Sequence, residues 1–157
     1  DNLDTEIKVE HIDVNEEEEL AVITFSENGS DWMFARIFDL KTGSVFPETL
    51  QHLWMSTFIW EGRILYYQRF DAPSEGNKFI EYKRGQRICR HVLGNMQEID
   101  KDVLENLSGS DNFYFSILEF NDTHFLVHEL SSNGKEYSVL SFISSNEKIV
   151  YVSGRFC

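Results

Sequence analysis

A run rich in aromatic and β-branched residues, Met33-Phe-Ala-Arg-Ile-Phe-Asp-Leu40, stands between two turn signals, Asn28-Gly29 and Thr42-Gly43. Glycine and asparagine supply the left-handed backbone that tight turns demand, so this pattern predicts one strand of an antiparallel meander. The same unit returns twice. First strands open near Val9, Trp54 and Asn112, and second strands near Leu20, Arg63 and Thr123. The first interval is close to the roughly 40–45 residues of a four-stranded propeller blade. The second is longer by about the length of a loop inserted between Asp71 and Gln86, as expected where insertions fall between strands. The expected fold is therefore all-β, a single β domain over 1–157 forming a partial β-propeller. Its antiparallel four-stranded blades would lie at 9–50, 54–107 and 112–153. A closed antiparallel β-barrel of about ten strands is the alternative, because alternation along each strand reads the same in both.

Within the first unit, Val9–Val14 and Leu20–Ser26 flank the charged run Glu16–Glu19. Ligands of a hard-cation loop alternate with glycine and carbonyl groups, so four successive glutamates read as a solvated hairpin tip. Pro47 in Ser44–Leu50 removes a ladder donor and places that segment at a sheet edge or a strand end. The second unit is read as Trp54–Trp60, Arg63–Phe70, Lys78–Lys83 and Arg87–Leu93, with Ile99–Leu107 either a helical turn or a last strand. The third is read as Asn112–Phe120, Thr123–Leu130, Tyr137–Ser144 and Lys148–Ser153.

The length of 157 residues suits one domain or a piece of a larger one. Hydrophobic residues at 41% and aromatics at 14% argue for a packed core. With 27 acidic against 14 basic residues the net charge is −13, a field that repels nucleic acid and anionic membranes. The apolar runs are far shorter than the roughly 20 residues that span a bilayer. The chain opens on Asp1, consistent with processing or with a segment cut from something longer. Three glycosylation acceptor patterns, at Asn28, Asn106 and Asn121, and a possible Cys89–Cys157 bridge would suit secretion. Two cysteines are equally usual in a reduced cytoplasmic protein.

No constellation in the sequence points to catalysis, a metal or a cofactor. His124 and His128 have the i,i+4 spacing of a helical zinc pair, but Phe125, Leu126 and Val127 between them read as strand, which sets the two about 13 Å apart. His11, His52 and His91 stand alone. There is no Gly-x-Ser-x-Gly elbow, and Ser30, Ser110 and Ser153 beside glycines read as turn residues. The carboxylates offer many pairs, with none picked out by its context. Gly-rich phosphate loops and basic aromatic patches are absent from the sequence.

An ordered set of landmarks carries a resemblance. Phe25-Ser-Glu-Asn-Gly-Ser-Asp-Trp32, Asp39-Leu-Lys-Thr-Gly43, Pro47-Glu-Thr-Leu50, Phe58-Ile-Trp60, Tyr66-Tyr-Gln-Arg-Phe-Asp-Ala-Pro73 and His91-Val-Leu-Gly-Asn-Met-Gln97 resemble successive stretches of the β-propeller of prolyl oligopeptidases. The resemblance runs from about Leu20 to Leu107, and from Asn112 onward only the strand pattern is similar. Members of that family are serine endopeptidases that cut after proline in short peptides. Their propeller, usually of seven blades, covers a hydrolase domain carrying the serine, aspartate and histidine, and nothing in this sequence resembles that domain.

The resemblance implies about three blades from the non-catalytic half of such an enzyme, gating and lining the access of short proline-containing peptides. It implies docking to further blades or self-association, and a cytoplasmic location. It also implies that Met55 lines the outer part of a substrate site, a role its adaptable thioether suits. A core methionine on the first strand of a blade is the other reading of Met55. The sequence between Phe70 and His91 departs from the family pattern, so no peptide contact is carried over there. Two other functions compete: a secreted lipocalin-like barrel around an apolar cavity, and an acidic interaction protein whose binding to a basic partner weakens with salt.

Overall fold

The computed structural model describes residues 5–74, 83–105, 113–121, 124–131, 139–144 and 149–153. They form three separate antiparallel sheets of four strands each, in chain order. The first comprises β1 (Ile7–Asn15), β2 (Leu20–Glu27), β3 (Met33–Asp39) and β4 (Val45–Leu53). The second comprises β5 (Phe58–Glu61), β6 (Ile64–Arg69), β7 (Arg87–Val92) and β8 (Lys101–Glu105). The third comprises β9 (Phe113–Asn121), β10 (His124–Ser131), β11 (Val139–Ser144) and β12 (Ile149–Ser153). Each strand pairs with its sequence neighbours within the sheet, and among the described residues no ladder joins one sheet to the next. A closed barrel, and the lipocalin-like carrier that went with it, is thereby replaced by successive blades.

Turn chemistry sets the hairpins. Asn28 and Gly29 both have positive φ, 51° and 71°, and Ser30 N–H donates to the Glu27 carbonyl at 2.9 Å. That is a tight turn with positive φ at both central residues, and it opens the connection Asn28–Trp32 from β2 to β3. Glu16–Glu19 form the exposed tip between β1 and β2, where the Asn15 side-chain oxygen accepts from Glu18 N–H at 3.2 Å. Pro47 lies in β4, the edge strand of its sheet, where the register with β3 slips between Arg36 and Phe38. The missing N–H thus falls at a bulge, where the ladder is already interrupted.

Two boundaries differ from expectation. The second blade begins at Phe58 rather than Trp54. His52 and Met55 have φ of 60° and 45°, which breaks the extended chain, and Gln68 then holds the connection. Ser56 Oγ donates to its carbonyl at 2.7 Å, and Thr57 N–H to its side-chain oxygen at 3.0 Å. Of the two alternatives for Ile99–Leu107 the described part takes the strand, β8, and a 3-10 turn at Gln97–Ile99 precedes it. Most of the Lys78–Lys83 segment, together with Asn106, Ser110 and Cys157, lies outside the described residues.

The core forms where the first two sheets face each other. Leu20, Val22, Ala35, Ile37, Leu50 and Leu53 on one side pack with Phe58, Leu65, Tyr67, Cys89 and Leu93 on the other. Each fully buried aliphatic contributes roughly 1.5–3 kcal/mol. The second sheet also has β9 of the third against β5 and β6. Covered on both faces, β6 carries four consecutive buried residues, Leu65–Gln68, where a half-buried strand would alternate. The opposite face of the first sheet stays open. Val9, Ile12 and Val14 are 52%, 54% and 49% exposed there, and Phe25 stacks on Phe34 at 5.4 Å. No helix among the described residues is long and apolar enough to cross a membrane.

Polar groups complete the seam between the two sheets. Glu48 on β4 accepts from the backbone N–H of Gly94 at 2.7 Å and lies 3.3 Å from His91 Nε2. His91 Nδ1 is 2.7 Å from Asp100, whose other oxygen accepts from the Tyr67 hydroxyl at 2.7 Å. Gln97 donates to that hydroxyl and bonds both backbone groups of Gln51. Cys89 is a free, fully buried thiol that donates to Asp102 at 3.2 Å. Burial, then the Asp102 carboxylate, push it up to about 12, so it is inert as a nucleophile.

Candidate functional site

The loops at one end of the first two sheets converge. They are the β2–β3 turn, the β4–β5 connection, and the segments that follow β6 and precede β7. Phe70 N–H donates to the His52 carbonyl at 3.0 Å, tying the second sheet to the end of β4. The Phe70 ring then meets Trp32 and Trp54 edge-on, with centroids 6.3 and 6.0 Å away. Lys83 Nζ lies 5.2 Å from the Trp32 ring and 5.6 Å from the Trp54 ring, and 3.8 Å from Asp31. A cation between two indoles gains from both quadrupoles, and the nearly buried ammonium staples the loop to the connection. Behind it Arg87 donates to Asp71 at 2.8 Å. Gly85, at φ +62°, has the Asp71 carboxylate standing where a Cβ would be, so the close approach requires glycine here.

Beside this cluster opens a cleft of about 410 Å³ lined by Trp32, Phe34, Thr49, Gln51, His52 and Pro73 among others. Two of its lining groups, Trp32 Nε1 and His52 Nδ1, are buried without a protein hydrogen-bond partner. Burial, reinforced by Arg69 and Arg87, holds His52 below the ordinary histidine range and so neutral near pH 7. The indole N–H can only donate. Aromatic walls with unpaired polar atoms are equipped to bind a ligand carrying hydrogen-bond acceptors.

Met55 stands three residues beyond His52, on the connection that leaves β4. It is 74% exposed and precedes β5, so it is not the core methionine of the alternative reading. Ser30 is a turn residue, its hydroxyl accepting from Trp32 N–H at 3.1 Å. The histidines are dispersed. His11 is exposed on β1, His52 is at the cleft, His91 is in the seam, and His124 and His128 are in strand β10. Among the described residues no three His, Cys, Asp or Glu side chains are grouped to hold a metal ion. The Trp32–Lys83–Trp54 sandwich could not be found from sequence, because residues 32, 54 and 83 share no spacing that marks them as neighbours. Trp32 was signalled by its place in the Gly29–Trp32 landmark.

Comparison with known families matches residues 3–151 to "Prolyl oligopeptidase, N-terminal beta-propeller domain". Among solved structures, 94% of the chain superposes on 21% of a chain from a study of two prolyl endopeptidases, with TM-score 0.75 and 17% identity. The same share superposes on 22% of prolyl oligopeptidase B from Galerina marginata bound to a 35-residue hydrolysis and macrocyclization substrate, with TM-score 0.78 and 14% identity. Oligopeptidase B from Leishmania major gives TM-score 0.72 at 13% identity, with 96% of this chain on 20% of that one. The chain thus spans about a fifth of the length of these structures. No curated protein matches its sequence.

Proposed function

The chain belongs to the prolyl oligopeptidase N-terminal β-propeller family, and on that premise we propose that it is the non-catalytic wall and gate of a post-proline serine endopeptidase. The reactive serine, aspartate and histidine would reside in a hydrolase domain beyond this stretch of chain. Short proline-containing peptides would pass the loop end described above, with Met55 packing against them and the cleft supplying polar contacts to their carbonyls. The observation that carries this reading is the exposure of Met55 on the connection between two blades, three residues beyond the cleft-lining His52. The Met55 thioether adapts to varied partners.

The open face of the first sheet supports docking of a further blade on Val9, Ile12 and Val14. The free Cys89 thiol favours a reducing compartment, so the cytoplasm is the location we assign. Steady-state kinetics of the full-length protein on a short fluorogenic peptide ending in proline tests the reading. Cleavage after proline is expected, with KM raised several-fold by Met55→Ala and kcat little changed. Absence of post-proline cleavage, or kinetics indifferent to Met55→Ala, would overturn it.

A further inference from the structure

His91 is fully buried, and both of its ring nitrogens face carboxyl groups that are themselves nearly inaccessible. Asp100 Oδ1 is 2.7 Å from Nδ1 and Glu48 Oε1 is 3.3 Å from Nε2; the two carboxyl side chains are 2% and 1% exposed. A neutral imidazole carries one N–H, so it would donate to one carboxylate and turn a lone pair toward the other. Only the imidazolium donates to both. In the buried seam a carboxylate oxygen that faces a lone pair loses that donor, and Glu48 Oε1 would be left with the Gly94 N–H.

We propose that the seam between the first two sheets is closed by a buried imidazolium at His91 and is a proton switch, in which loss of that proton loosens β4 from β7. Among the described residues the ring is faced by groups from the elements packed on β7. They are Glu48 from β4 and Asp100 from the segment after the 3-10 turn, with Tyr67 from β6 reaching it through Asp100. Cys89, two residues along β7, bonds Asp102 instead. Burial pushes both the Tyr67 hydroxyl and the Cys89 thiol upward, so neither titrates near neutrality.

Burial by itself would push His91 down, but the hydrogen bond and charge of Asp100, and then those of Glu48, outweigh it and hold His91 above its ordinary value. The sign follows. The contribution is fully present below about pH 6.5, the ordinary histidine value, and is lost as pH rises through the elevated folded value. Loss of the proton leaves the Gln97 bonds to Gln51 and the apolar core in place, so the seam loosens while the blades persist. Thr49, next to Glu48 on β4, lines the cleft, so loosening β4 moves one wall of it.

The test is nitrogen-15 NMR of the His91 ring in the native protein from pH 5.5 to 9, with amide-exchange protection factors measured across the same range. Both ring nitrogens are expected to carry protons at pH 6.5, with a midpoint above that value. Protection in β4 and at Gly94 should fall at least tenfold across the midpoint, while β1–β2 protection stays level. Glu48→Gln keeps an acceptor for Gly94 N–H and removes a charge, so it should move the midpoint down. A neutral His91 tautomer at pH 6 in the folded protein would overturn the proposal whatever the variant does. Protection in β4 that ignores the titration would overturn it equally. Both readouts are independent of peptide cleavage.

Discussion

Trp60 Nε1 donates to Asp13 Oδ1 at 2.7 Å, joining the first strand of the second blade to the first strand of the first. The bond crosses from sheet to sheet beside the core, next to a second link in which the Asn15 side chain donates to the Gly62 carbonyl at 3.2 Å. Trp60→Phe removes the donor and strands the carboxylate, so it is expected to cost roughly 2 kcal/mol. Urea unfolding of the variant measures this, and Asn15→Ala, at an exposed site, should cost less than half as much.

Core and open-face positions should respond differently to truncation. Leu50 is fully buried between the sheets, and Leu50→Ala is expected to cost about 2–5 kcal/mol. Val9, half exposed on the open face, should lose about 0.5 kcal/mol or less in Val9→Ala. Chemical denaturation of the two variants side by side checks the ordering.

Glycine substitutions separate conformational cost from collision. Gly29 has φ +71° and nothing within 4 Å of an added Cβ, so Gly29→Ala should cost about 1 kcal/mol from backbone alone. At Gly85 the left-handed backbone is combined with the Asp71 carboxylate in the Cβ position. Gly85→Ala should lower the melting temperature more than Gly29→Ala and break the Asp71–Arg87 pair.

His52 and His91 are displaced in opposite directions, and so oppose each other in the dependence of stability on pH. His52 is held low by burial and then by Arg69 and Arg87, so the unfolded chain takes up its proton first as pH falls. Its contribution is intact above about pH 6.5 and is lost below it. Replacing His52 with Gln should flatten the acid side of a stability profile between pH 5 and 7. The same profile should keep its loss on the alkaline side.

The Cys89 thiol, buried and pushed up to about 12, should react with a disulfide reagent orders of magnitude more slowly in the native protein than in denaturant. A timed thiol assay, with and without guanidinium, checks it.

The turns and most strands were legible because their signals are local. Asn28-Gly29 and the alternation around Met33–Leu40 need no knowledge of the rest of the chain. The start of the second blade was not legible, since Trp54, Phe58 and Ile59 have equal appetite for a strand. What excludes Trp54 is the positive φ of His52 and Met55, together with side-chain bonds to Gln68. The ordered landmarks identified the family, yet the site was only partly visible. The role proposed for Met55 rests on resemblance, whereas its exposure depends on how two sheets meet. The Lys83 sandwich and the Glu48–His91 contact join residues tens of positions apart, and such contacts leave no period in a sequence.

The bulge at Pro47 has a bearing on life in a crowded solution. An outer strand with an intact ladder offers any passing chain a row of donors and acceptors to copy. In β4 that row is interrupted by an imide nitrogen and a slipped register, so foreign strands find no continuous template along this rim. The first blade packs one apolar face on the second and leaves an outer edge that other chains cannot extend.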